Sequence, residues 1–95
     1  MSAYIIANVE VTDPARYEDY KRLSSIAMKA HGAEVCVRGG AVTLLEGDWR
    51  PDRVVVLKFP SVEQARAFYD SPEYAPARAA RAGAARMRMV IVEGL

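Results

Sequence analysis

The sequence predicts an α+β domain in which an antiparallel sheet carries helices on one face only. Three observations lead there. Apolar, β-branched runs with side chains alternating in and out recur at residues 4–11, 53–60 and 86–93. Helical spacing with start and stop residues fills the segments between them. The chain of 95 residues is a single domain, 1–95, with little spare length to shield a second sheet face.

In order along the chain, residues 4–11 (YIIANVEV) put Ile5, Ala7, Val9 and Val11 on one side and Tyr4, Ile6, Asn8 and Glu10 on the other. Asp13 is placed to accept the free amides of a first helical turn, and Pro14 fits the first helical position. The helix predicted from there to about His31 repeats Tyr17, Tyr20, Leu23, Ile26, Ala27 and Ala30 on one face, with Gly32 as its left-handed stop. Residues 34–38 and 42–46 are both strand-like, joined at Gly39 and Gly40 either as one bent strand or as two short ones. A polar loop at 47–52 leads into residues 53–60 (RVVVLKFP), the run on which the sheet centres, with Val55, Leu57 and Phe59 opposed to Val54 and Val56. Ser61 and Gln64 form a capping box for a second helix bearing Val62, Ala65, Phe68 and Tyr69. Ser71 caps a further helical stretch to about Ala82, expected to become regular only after Pro76, and Gly83 ends it. Residues 86–93 (RMRMVIVE) are the last strand, with Met87, Met89 and Ile91 opposite Val90 and Val92.

The order strand, helix, strand, strand, helix, strand, with right-handed crossovers on one side, is a ferredoxin-like βαββαβ sandwich. Its uncovered face collects Tyr4, Ile6, Val54, Val56, Val90 and Val92, a larger apolar patch than a monomer normally leaves in water. A homodimer joined through that sheet face is therefore expected.

Composition narrows the function classes. Thirteen basic and twelve acidic side chains give a net charge of +1, which is no footprint for nucleic acid. Arg78, Arg81, Arg86 and Arg88 gather late in the chain but are expected mainly on solvated faces. No stretch approaches the roughly 20 apolar residues of a membrane span, and the first residues lack the pattern of a signal peptide. The lone Cys36 reads as a small buried hydrophobe, so a cytoplasmic protein is expected. One His and one Cys on different elements do not make a metal site, and neither a phosphate loop nor a dinucleotide fingerprint is present. No cofactor is expected.

The motifs VRGG at 37–40, LEGDW at 45–49, FYDSPEY at 68–74 and VEG at 92–94, together with YEDY at 17–20, resemble the DUF1330 family over nearly the whole chain. That family is similar to the dimeric α+β barrel superfamily, which includes cofactor-free monooxygenases, haem-degrading enzymes and muconolactone isomerases. The resemblance implies a fold, a dimer and a cleft between sheet and helices. It implies no reaction, since one fold hosts many chemistries. Haem-degrading relatives pair an Asn on the first strand with a His on the second helix, and this chain has no His between Ser61 and Gly83. Pro76 stands where an ordinary helix former is expected.

Candidate site residues follow from side-chain chemistry. His31 is the only side chain of a type whose unperturbed pKa lies near neutrality and is the weak candidate base, although its place at a helix end is better explained by complementing the helix dipole. Asn8 is either a cleft-facing amide that orients an oxygen or a polar group at the dimer seam. Arg38, before two glycines, is placed to grip a carboxylate at the cleft mouth, or to pair with Glu46. Tyr69, Ser71, Tyr74, Arg78 and Arg81 surround the break in the second helical region, where phenol plus guanidinium suits a small aromatic or acidic molecule. The plainer roles of Ser71 and the tyrosines are a helix cap and core packing. Trp49 is a lid or a dimer-edge anchor. Two readings result: a dimeric binder of a small organic acid or other metabolite, with Arg38, Trp49, Tyr69, Ser71, Tyr74, Arg78 and Arg81 about its cleft, or a cofactor-free isomerase or monooxygenase, with His31 or a Tyr moving a proton and Asn8 or Arg38 meeting negative charge.

Overall fold

The start and stop signals of the sequence set the element boundaries in a computed structural model, which describes residues 1–95. The order is β1 (Ala3–Val11), α1 (Pro14–Ala30), β2 (Glu34–Arg38), β3 (Arg53–Phe59), α2 (Val62–Tyr69), α3 (Ala75–Arg81) and β4 (Ala85–Glu93). Asp13 caps α1 by accepting the Arg16 amide, Ser61 caps α2 by accepting that of Gln64, and Gly32 and Gly83 leave α1 and α3 at positive φ.

The sheet runs β2-β3-β1-β4 with every neighbouring pair antiparallel. Its helix-covered face presents Ile5, Ala7, Val9, Leu57 and Phe59, all buried beneath Tyr17, Tyr20, Ala27, Met28, Phe68 and Tyr74. Phe59, Phe68 and Tyr74 form a continuous aromatic stack, with centroids 5.3 and 4.7 Å apart. Each such ring contributes roughly 1.5–3 kcal/mol by leaving water. The other face has no helix over it. Ile6, Val90 and Val92 lie exposed there, and Tyr4, Val54 and Val56 are only half-buried.

Four expectations are corrected. Residues 42–46 are not a strand. Arg38 sits opposite Val55 and the Gly39 amide bonds to the Val54 carbonyl, so the antiparallel register brings residue 40 level with the start of β3. Residues beyond that overhang the sheet with no strand to pair with. Cys36 is exposed rather than buried, because β2 is an edge strand all five of whose residues are exposed, and a bulge between Val35 and Val37 also takes Cys36 out of the ladder. On α1, Ser24 and Met28 take inner positions, whereas Ile26 and Ala30 face out. Finally, α3 is regular through Pro76, which stands in its first turn where the missing amide costs nothing.

Candidate functional site

The turn between α2 and α3 organises the chemistry. The Ser71 hydroxyl donates to the Phe68 carbonyl at 2.8 Å and accepts the Tyr74 amide at 3.1 Å. This tight turn sends Tyr74 into the core and starts α3, whose last turn carries Arg81 toward β4. The Tyr74 hydroxyl lies 2.7 Å from that of Tyr20 and accepts from Arg81 Nη1 at 3.4 Å. Arg81 Nη1 also meets the Met87 and Met89 sulfurs at 3.2 and 3.9 Å, and no carboxylate pairs with it. Burial pushes both phenols above their ordinary values, so each keeps its proton at neutral pH.

Two recesses flank this core. Between α2 and β4 runs an open groove of about 680 Å³, lined by Val62, Glu63, Arg66 and Tyr69 on the helix side, by Arg81, and by Ile5, Met87, Met89, Val90 and Ile91 of the sheet. On the other side, between α1 and the sheet, Tyr17, Tyr20, Met28, Leu57 and Tyr74 line a narrow cavity of about 30 Å³, room for little more than one water. Lys21, Arg38 and Arg53 at the end of that cavity also line a shallow polar mouth on the surface of about 380 Å³, together with Glu18, Arg22 and Ser25.

The expected site residues therefore separate. Tyr69 and Arg81 line the groove, and Arg78 stacks on the Tyr69 ring at 4.5 Å without lining it. Tyr74 belongs to the inner cavity and reaches the groove only through Arg81. Arg38 lies on the α1 side, donating to Ser25 Oγ at 2.7 Å and not pairing with Glu46. Ser71 spends its hydroxyl within the turn. Trp49 is 72% exposed in the overhanging connection, remote from the groove lining.

Neither candidate catalytic residue lines the groove or the inner cavity. Asn8 faces away from the helices, where its amide clips the connection by accepting the Asp52 amide at 2.9 Å. His31 bonds to Glu73 at 2.8 Å, ties the end of α1 to the α2–α3 turn, and lines neither recess. Missed by the sequence reading were Arg53, Lys21, Arg66 and the methionine pair. Arg53 had a signal: it shares the inward phase of Val55, Leu57 and Phe59, where a cation is out of place. No three His, Cys, Asp or Glu side chains come together as a metal would require.

Sheet order and one-sided helices define a ferredoxin-like α+β protein, and solved structures agree. A protein of unknown function from Rhodopseudomonas palustris superposes with a TM-score of 0.77 at 22% identity, over 99% of this chain and 82% of that one. SnoaB, a cofactor-independent oxygenase from Streptomyces nogalater, gives 0.65 at 14% identity over 99% and 93%. A dimeric ferredoxin-like protein of unknown function from Thermobifida fusca gives 0.60 at 20% identity over 97% and 90%. The chain belongs to the DUF1330 family, a domain of unknown function, whose family model matches residues 2–95. No curated protein matches it, and no helix is long and apolar enough to cross a membrane.

Proposed function

We propose that this protein is a homodimeric binder of a small organic acid, held in the groove between α2 and β4. One observation carries the reading: Arg81, partly buried, meets a phenol and two thioethers but no carboxylate at the wall of a recess sized for a metabolite. A guanidinium in such a setting is completed by a bidentate carboxylate. Tyr69 and the methionines then cover the apolar body, with Met adapting to its shape. Pairing of two copies through the open sheet face leaves most of the groove free, because all of its lining but Val90 lies on or beside the helix-covered side. The proposed compartment is the cytoplasm, where Cys36 stays a free thiol.

Thermal denaturation against a panel of aliphatic and aromatic carboxylates tests the reading. A native-state ligand at 100 times its Kd adds about 2.7 kcal/mol, a rise of roughly ten degrees or more for a domain this small. Arg81→Leu is expected to remove that rise. If no carboxylate moves the wild-type Tm, the groove is not an acid site.

A cofactor-free enzyme, isomerase or monooxygenase, is the second reading. What favours it is the neutral phenol of Tyr74 behind Arg81, a proton-bearing group one hydrogen bond from the groove wall beside a fixed positive charge. Turnover lost in Tyr74→Phe with carboxylate binding retained would separate it from simple binding.

A further inference from the structure

Across Tyr74 from the groove, the mouth under α1 holds four cations, Lys21, Arg22, Arg38 and Arg53, against one acid, Glu18, which is already bonded to Lys21 at 2.9 Å. Neither Arg38 nor Arg53 has a carboxylate partner. Arg38 bonds only to the Ser25 hydroxyl. Arg53 Nε is buried with no partner at all, a position that costs stability. The Arg53 guanidinium is held in place nonetheless. It rests 5.7 Å from the Tyr17 ring centroid and against the backbone of Gly39, where any Cβ would collide with it.

We propose that this mouth is a second binding site, for a compact dianionic oxyanion: a phosphate group, free or esterified to a small molecule. Two guanidinium forks and an ammonium on one rim offer more donors than a single carboxylate has lone pairs to fill, and they match the several oxygens of a phosphate; the Ser25 hydroxyl, which donates to the Lys21 carbonyl at 2.7 Å, holds Arg38 in place. The charge balance of the rim, four cations less one acid, is +3, on a chain whose net charge is only +1. Behind the rim the cavity of about 30 Å³ admits no organic body, so the anion stays at the mouth and its substituent faces solvent. Arg38, Arg53, Lys21 and Ser25 all rise from the helix-covered side, which keeps the site open if two copies join through their bare sheets.

Calorimetric titration of the intact protein with sodium phosphate, at ionic strength held constant with chloride, reads the site. One saturable event per chain is expected, weakened about tenfold or more by Arg38→Gln and by Arg53→Met. Arg81→Leu should leave it unchanged, which separates this site from the groove: either can fail alone. Arg53→Met should also melt no lower than wild type in phosphate-free buffer, since it removes an unpartnered buried N–H, so lost binding is not lost folding. Phenyl phosphate binding tighter than inorganic phosphate would identify an esterified ligand; equal binding would identify the free anion. Saturable binding of neither, persistence in the Arg38→Gln/Arg53→Met double variant, or loss in Arg81→Leu would overturn the proposal.

Discussion

The buried hydroxyls of Tyr20 and Tyr74 each have the other as partner at 2.7 Å, and only Arg81 adds to them. Removing one strands its mate in the core. Tyr74→Phe is therefore expected to cost about 1–3 kcal/mol by urea denaturation, and Tyr20→Phe combined with it should cost less than the two single losses together. A sum that is strictly additive would mean the pair is not coupled. The same phenols set an alkaline limit. Burial holds both in the neutral form above the unfolded tyrosine value of about 10, so their contribution is complete below that pH and fades as pH climbs through their raised folded values. Stability of the wild type should fall above about pH 10, with a shallower fall in the double Phe variant. At the acid end, the His31 hydrogen bond lowers the Glu73 carboxyl below its ordinary 4.5. That contribution is present above 4.5 and lost as pH drops below it, and Glu73→Gln should remove this part of the acid slope.

Among the elements, the connection from β2 to β3 separates what was legible from what was not. Caps, glycine stops, strand phase and the one-sided helix cover depend on neighbours in sequence or on strict alternation, and Asp13, Ser61, Gly32 and Val55 all stand where their local pattern requires. Residues 42–46 carry an equally good strand pattern, yet whether they pair depends on register: Arg38 opposite Val55 exhausts β3 before they begin. The grouping of the candidate site residues was illegible for a related reason. Side-chain chemistry singles out Tyr69, Arg81 and Arg38, but Tyr74 stands between them, and only the packing of α1 against α3 shows that they line different recesses. Gly39 joins both themes, since its φ of +73° turns the chain off the sheet while its bare backbone admits the Arg53 guanidinium. Gly39→Ala should cost about 1–2 kcal/mol from the left-handed backbone alone. It should also displace Arg53, visible as a changed signal of its side-chain Nε–H by NMR, whereas Gly40→Ala meets nothing nearby and is expected to leave that signal in place.

At the scale of the whole molecule, the chain is a two-layer slab with extents of 36 × 34 × 16 Å, and just 17 of its 95 residues are buried. Its accessible surface is 6184 Å², against the roughly 5,400 Å² expected of a compact monomer of 10.5 kDa. The excess resembles the roughly 800 Å² that each partner contributes to a standard interface. Much of what is exposed is apolar: Ile6, Val90 and Val92 on the bare sheet, Leu45 and Trp49 on the overhanging connection. Ile6 stands between Val56 and Val90 in the register, at the middle of that face. A charge there meets the opposing sheet in a dimer but only water in a monomer. Ile6→Asp should thus convert a sedimenting dimer to a monomer at micromolar concentration and lower Tm in a concentration-dependent way, while Ile26→Asp, on the exposed side of α1, should change neither. If wild type and Ile6→Asp both sediment as monomers, the bare sheet has no second copy to cover it.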